Sequence, residues 1–461
     1  MRKLRLTSLT LTVILLFAVI LTACSGNSNK DSSPNTSSNT QTPKSTETDT
    51  PEPAAPEKPK EPVTLKYVTY FVGQYQAEYD LFHKKYPWIT IEPIVTDDVL
   101  GTVVAKVAAG DSPDLAIVDN MTTFVQQDLL EELTPYMESS EILKTAKIRN
   151  GISNIYKLDN KNYAMPISDV PLWMAVNKDL LAKHGLEMPT NDWTYDDFLE
   201  MAKQATDLKA GEYGVSYDTT FNSWFTEIYA MANGAIPNFS YMNEDLTKTV
   251  FNTPEVAASL KWVSDLTYKW HVRPTTKEAE SYGWDSGNNF LAGKSLFGVG
   301  ADWYVPGFND NAKFEWDVLP FPVGKKMQAT MHLNAPFGIM KTSKNKEAAF
   351  LWLTFQYELE AQKWMIENSG TAFVDDPELT SYYEKVDVWK GKNVGAIERT
   401  GEICCYTKTP AILDVDWLNA NVISKLNQYF YTQADLTPLL AAADQYNNQV
   451  VIDARKALGL K

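Results

Sequence analysis

The sequence predicts an α/β protein of two lobes, carried behind an export signal on an unstructured leash. Three observations predict it. Strand-like and helix-like runs alternate from residue 63 onward, the pattern of βαβ units around a parallel sheet. Roughly 400 residues follow position 62, more than one hydrophobic core usually serves. Residues 25–62 are mostly Ser, Thr, Asn, Pro, Lys and Glu, with only Ala54 and Ala55 mildly apolar, so they bury too little surface to offset their ordering entropy.

The amino terminus opens with Arg2, Lys3 and Arg5, followed by an apolar stretch that is dense from Leu11 to Leu21. A charged start, a short apolar middle and a small-residue exit make an export signal over residues 1–23, too short to serve as a spanning helix. Leu21-Thr22-Ala23-Cys24 resembles the bacterial lipobox, which implies lipidation at Cys24 and cleavage just before it. The alternative is an ordinary signal whose cleavage site lies beside a cysteine. Two or three acyl chains would anchor stably where one binds reversibly. Residues 24–62 are then the lipidated cysteine and its linker, with a typical end-to-end span of roughly 35 Å.

The composition, 44% hydrophobic and 22% charged, is that of an ordinary globular protein. Its net charge of −16, more negative still without the three signal cations, argues against nucleic acid and anionic membrane surfaces as partners. Cysteine is sparse. Besides Cys24 there is only Cys404-Cys405, which reads as a small turn, two buried thiols or a vicinal disulfide.

The folded part begins with VTLKYVTYFVG, rich in β-branched and aromatic residues and closed by Gly73, a strand. Tyr75, Tyr79, Phe82 and Tyr86 recur on one helical face, and Pro87 ends it. WITIEPIV is a second strand. Leu100, Val103, Val104 and Val107 form another helical face up to Gly110, and DLAIVDN is a short strand covered on both faces. In TYDDFLEMAKQA, Thr194 and Asp197 have capping-box spacing. Thr253-Pro254 opens a helix with Val256, Leu260, Val263 and Trp270 inward, and KEAAFLWLTFQYELEAQKWMIE reads as one aromatic-rich helix. The last hundred residues are mainly helical.

Catalytic signals are thin. His83, His184, His271 and His332 lie at no metal-ligand spacing and read as surface or hydrogen-bonding residues. There is no G-x-S-x-G elbow, Walker loop or G-x-G-x-x-G opening a helix, so no cofactor or metal is expected. Carboxylate pairs (Asp97-Asp98, Asp375-Asp376, Asp414 with Asp416) are what 58 acidic residues give by chance, although a surface glycosidase would need such a dyad. More telling are aromatics at strand ends: Tyr70-Phe71, Trp224-Phe225, Trp284 and Trp303. Flat rings there suit the apolar face of a sugar, with Asp or Asn accepting from its hydroxyls. Most of the 13 Trp, 23 Tyr and 19 Phe are nevertheless core residues.

In NNFLAGKSLFGVGADWYVPGF, residues 288–308, a helix ends near Ala292-Gly293, a strand runs Ser295 to Val299, and Gly300-Ala301-Asp302 turns into Trp303. Here the chain resembles the family 1 extracellular solute-binding proteins of ABC importers. Phe290, Gly293, Lys294 and Trp303 stand in the family's pattern, with Leu296 where Ala is usual. AAGDSPDLAIVDN resembles its A-G-x-x-P-D turn and third strand. Asn177-Lys178-Asp179-Leu180 fits the family's Y-N-K-D-L, with Val176 in place of Tyr, and FNTPEVAASLKWV and APFGIMKTSKNKEAAFLWLTF also fit.

The resemblance implies a two-lobed periplasmic-binding-protein-like fold with a multi-strand hinge and a ligand cleft between the lobes. By motif, one lobe is 63–168 plus 323–369 and the other 172–318 plus 373–461, with crossings near Ile167-Val170, Phe321-Val323 and Gly370-Phe373. It implies a monomeric receptor, lipid-anchored on the outer side of the cell membrane. That receptor takes a carbohydrate ligand and delivers it to ABC transporter permease subunits, without catalysis. The ligand-binding candidates are Tyr70, Asp119 and Asp169 from the first lobe and first crossing, with Trp224, Trp284, Asp302 and Trp303 from the second lobe. Trp224 and Trp303 match family positions where a ring stacks on ligand, whereas Asp169 lies beside, not on, a family carboxylate position. A non-sugar solute such as a polyamine, peptide or chelate is the alternative.

Overall fold

The computed structural model describes residues 61–71, 75–149, 152, 156–218, 221–239, 241–243, 245, 247–284, 289–404, 426 and 428–457. Cys24, the rest of the leader and leash up to residue 60, Cys405, Asp414 and Asp416 lie outside them. The described residues fall in one compact unit, Lys60–Lys461. None of their helices is long and apolar enough to cross a membrane.

Nine strands matter here: β1 (Val63–Thr69), β2 (Ile89–Val95), β3 (Leu115–Ile117), β4 (Met165–Pro171), β5 (Trp173–Asn177), β6 (Tyr213–Val215), β7 (Ser295–Gly300), β8 (Trp316–Leu319) and β9 (His332–Ile339). They build a five-stranded sheet ordered β2-β1-β3-β9-β4 and a four-stranded sheet ordered β8-β5-β7-β6. In the first sheet β1 lies parallel to β2 and β3, joined through α1 (Gln76–Lys85) and α2 (Val99–Ala108), as the alternating pattern predicts. Strand β9 enters antiparallel between β3 and β4.

Local signals account for most helix ends. Thr194 and Asp197 exchange bonds at the start of α3 (Tyr195–Gln204), with the Asp197 amide donating to Thr194 Oγ1 at 3.2 Å and the Thr194 amide to Asp197 Oδ2 at 2.8 Å. Thr194→Ala will therefore cost about 1 kcal/mol, read as a drop of a degree or two in the thermal midpoint. Thr253 caps α4 (Pro254–Tyr268) by accepting from the Val256 amide at 3.3 Å. Trp270 lies beyond that helix, set edge-on to Trp262 at 5.6 Å, and packs against the same core as Val256, Leu260 and Val263.

One expected element is two. The aromatic-rich run divides into α5 (Lys346–Phe355) and α6 (Leu359–Glu367), with Glu358 extended between them. Trp352, Phe355 and Tyr357 cannot all face the core from one straight helix. The chain turns, so that the Tyr357 hydroxyl donates to the Pro166 carbonyl at 2.8 Å and Gln362 Nε2 to the Gln356 carbonyl at 2.6 Å. Trp352 then sits among Tyr67, Tyr79, Phe82 and Phe355, with centroids 5.0–6.3 Å away.

That core continues under one face of the second sheet through Trp173, Ala175, Trp316 and Val318, and takes in Leu379, Tyr383, Trp389 and Ile397. The other face has its own cluster around Phe198, Phe225 and Phe297, joined by Leu440 of α8 (Leu436–Ala457). The chain passes between the two sheets at two points. Only Leu172 separates β4 from β5. Residues 320–331 lead from β8 to β9, with the Leu172 amide donating to Met331 O at 2.9 Å. Finally, Thr371 pairs with Asp169. The two passages and the Thr371 segment lie side by side.

Candidate functional site

Four of the candidates, Tyr70, Asp119, Asp302 and Trp303, sit where a strand runs out. Tyr70 follows β1 at the rim of the first sheet, edge-on to Phe71 at 4.8 Å. The Phe71 amide donates to the buried Thr69 Oγ1 at 3.1 Å, which fixes the turn. Asp119 follows β3, and the Tyr70 hydroxyl hydrogen-bonds with it. Burial first, then the Asp119 carboxylate, hold that hydroxyl well above the usual phenol range.

Beneath this pair lies Tyr156, only 1% exposed. Its hydroxyl has no hydrogen-bond partner among the described residues, and burial followed by the charges of Asp119 and Asp169 raises its pKa. Asp169, on β4, is buried in the passage between sheets. Its carboxylate lies 2.9–3.0 Å from His332 Nδ1 and accepts from Asn334 Nδ2 at 3.0 Å.

From the second sheet come Asp302 and Trp303, in a short 3-10 turn just after β7. Gly300, at the end of β7, is paired with Trp173 and makes the turn possible. A Cβ there would stand 1.9 Å from the Trp173 ring, so only glycine lets the indole lie against the strand. Trp173 in turn stacks on Trp316 at 6.0 Å. Asp302 is 6% exposed. Its Oδ1 accepts from Thr371 Oγ1 at 3.2 Å, and its Oδ2 has no partner among the described residues.

Burial drives the Asp302 carboxyl up to about 8, against the bond from Thr371 and the nearby Trp173 indole and with help from the charge of Asp169. It is therefore a neutral acid at pH 7. A carboxyl raised on folding binds protons that the unfolded chain has lost, so stability falls as pH rises from the usual 3.8 toward about 8. Asp302→Asn removes that loss. Thermal midpoints of variant and parent should converge near pH 4 and separate in favour of Asn by pH 8; parallel curves would show Asp302 ionised throughout.

Trp303 is 48% exposed, and Trp224 stands at 6.1 Å and 69° to it, two indoles forming an open right-angled corner. Trp224 belongs to a single turn of π-helix, Phe221–Phe225, after β6, a widened turn often found at functional positions. Tyr304 continues the aromatic run at 5.7 Å from Trp303 and stacks on Phe308.

Six of the seven expected residues thus form one connected group: Tyr70 with Asp119, Asp119 and Asp169 about Tyr156, Asp169 with Asp302 through Thr371, then Trp303 with Trp224. Trp284 is not brought to it. It follows the helix Thr276–Ser281 rather than a strand, and packs against Tyr282 at 5.0 Å and Tyr213 at 6.1 Å. Tyr213 pairs with Ser295, the opposite end of β7 from Trp303. Sequence reading missed Tyr156, Trp173 and Thr371, and read His332 as a surface or hydrogen-bonding residue without placing it in this group. Nothing local marks them, although Gly300 stood within the informative motif. A separate groove lined by Leu81, Tyr86, Ile142, Tyr357 and Val374 shares no residue with this group.

A family model described as bacterial extracellular solute-binding protein matches residues 66–363. An ABC substrate-binding protein from Listeria monocytogenes in complex with cycloalternan is similar in structure, with 25% identity and a TM-score of 0.69, over 87% of this chain and 100% of that one. The sugar-binding protein MalE from Xanthomonas citri is 17% identical with a TM-score of 0.69, over 87% and 100% of the two chains. UgpB from Mycobacterium tuberculosis, in complex with glycerophosphocholine, is 15% identical with a TM-score of 0.67, over 85% and 99%. The last two likenesses concern the fold alone.

Proposed function

This chain belongs to the bacterial extracellular solute-binding protein family, and on that premise we propose that it captures an oligosaccharide between its two lobes and hands it to an ABC permease. The observation that carries the choice of sugar is the open corner of Trp224 and Trp303. Two indoles at right angles offer apolar faces to two pyranose rings, which a compact phosphodiester or a polyamine would not fill. Tyr70 and Asp119, after β1 and β3, supply the polar groups that a sugar's hydroxyls need, and Tyr156 keeps a hydroxyl in reserve. The Listeria monocytogenes protein, which holds cycloalternan, supports a glucan as the first class to try. The protein binds and releases its ligand without altering it. Closure of the lobes excludes water, so each hydroxyl-to-carboxylate bond counts for more than in solvent.

The lobes in this proposal are 63–168 plus 323–369 and 172–318 plus 373–461. Lipidation at Cys24 is supported by the Leu21-Thr22-Ala23-Cys24 pattern and by the polar leash behind it. The mature protein is then a monomer held outside the cell membrane, free to swing between solute and permease. Thermal unfolding against linear and cyclic oligosaccharides, polyamines, short peptides and glycerophosphodiesters tests the reading. A ligand at a hundred times its dissociation constant adds about 2.7 kcal/mol, an upward shift of a few degrees. A shift with one glycan class and none of the rest is expected. A shift only with a polyamine, peptide or phosphodiester would discard the sugar, and release of a shortened glycan would revive a glycosidase.

A further inference from the structure

His332 is fully buried at the first position of β9, where the chain has just passed from the second sheet to the first. Its Nε2 lies 2.7 Å from the carbonyl oxygen of Ile403, which can only accept, so Nε2 carries a hydrogen. Its Nδ1 lies 3.0 and 2.9 Å from the two oxygens of Asp169. One of those oxygens also accepts from Asn334 Nδ2 at 3.0 Å. A neutral imidazole has one N–H, so it cannot serve both neighbours. Ile403 follows α7 (Val394–Glu402), and the adjacent Cys404, which is disulfide-bonded, accepts through its carbonyl from the Thr330 amide at 2.7 Å. One ring therefore touches β4, β9 and the segment after α7.

We propose that His332 is a positioning residue of the cleft: as a doubly protonated imidazolium it ties these three segments together, holds Asp169 in place, and lets go when alkaline pH removes its Nδ1 proton. This deepens the cleft reading above, since Asp169 is one of the cleft residues, but the charge on the ring is measurable without any sugar.

The charged and titratable neighbours are these. Burial works against the cation, and Asp169 and then the Ile403 carbonyl outweigh it, with Arg149 opposing, so that the ring is raised above its usual 6.5. Arg149 reaches the region from a segment whose amide donates to Phe373 O at 3.0 Å. Tyr156 and Asp302 act on or feel the charge of Asp169, and Tyr383 lies near both Arg149 and Asp302. Cys404 is oxidised and does not titrate. Because the folded value is raised, the stabilisation is complete below 6.5 and disappears as pH climbs through the elevated value. Asp302 titrates at about 8 within the same group and must be separated from it.

The full-length chain labelled with ¹⁵N in its four histidines provides the test. The His332 signals are those missing from His332→Gln. Both ring nitrogens of His332 should appear protonated at pH 7.5 and lose the Nδ1 proton only above that pH. A single neutral tautomer at pH 7 would overturn the proposal. In thermal unfolding, the Asp302→Asn variant, freed of the loss due to Asp302, should still show a fall in midpoint between pH 7 and 9, and adding His332→Gln should abolish it. A fall that persists undiminished in the double variant would remove His332 as the latch. If that variant does not fold, the titration of the parent decides alone, its four histidines counted without assignment.

Discussion

Trp303→Ala will weaken binding of the captured glycan by about tenfold or more, about 1.4 kcal/mol, while leaving thermal unfolding nearly unchanged. The two halves of that expectation have separate causes. Trp303 is 48% exposed, so its removal exposes little core and leaves no cavity. The same exposure means that the ring's apolar face is covered only when ligand arrives, and that area is lost to binding in the variant. Trp224 would remain but with its right-angled partner gone, so two-ring contact becomes one-ring contact. Isothermal titration with the glycan found in the unfolding screen supplies the number. An unchanged dissociation constant would take Trp303 out of the site, and a lowered midpoint would mean that the ring supports the fold instead.

Gly300→Ala should have the largest effect on the folded state, although it adds a single methyl group. The added carbon would stand 1.9 Å from the Trp173 ring, and the backbone of β5 lies behind that ring in register with β7. Trp173 cannot swing away cheaply, because Trp316 stacks on one side and Phe308 meets it edge-on at 6.3 Å. Overpacking of this kind costs about 1–3 kcal/mol, or a fall of several degrees in the midpoint. Asp302 and Trp303 come directly after Ala301, so the same strain displaces the site. Loss of stability and loss of affinity should therefore appear together. A variant that unfolds early yet binds normally would separate the strand from the turn it carries.

How much of this was legible beforehand differs from element to element. The three parallel strands β1, β2 and β3 and their helices announce themselves through period and punctuation, because each buries a face of its own chain segment. The capping box at Thr194 is equally local. The break between α5 and α6 was not legible, since each half has good helical propensity and only the Pro166 carbonyl, on another strand, pulls Tyr357 out of line. Trp284 failed for a related reason. An aromatic near a turn reads alike whether the turn lies at one end of the sheet or the other, and the parallel pairing of Tyr213 with Ser295 is what puts it at the far end.

The sequence by itself determined the family, the first βαβ units and the two indoles, all of which depend on residues close together in the chain. The tertiary structure alone decided what lies under the cleft. Asp169, His332, Thr371 and Asp302 come from separate segments of the chain, and each looks ordinary in its own segment. Only burial, which strips water from those groups and leaves them one another as partners, turns them into a neutral acid, an imidazolium and an ion pair at the crossing point.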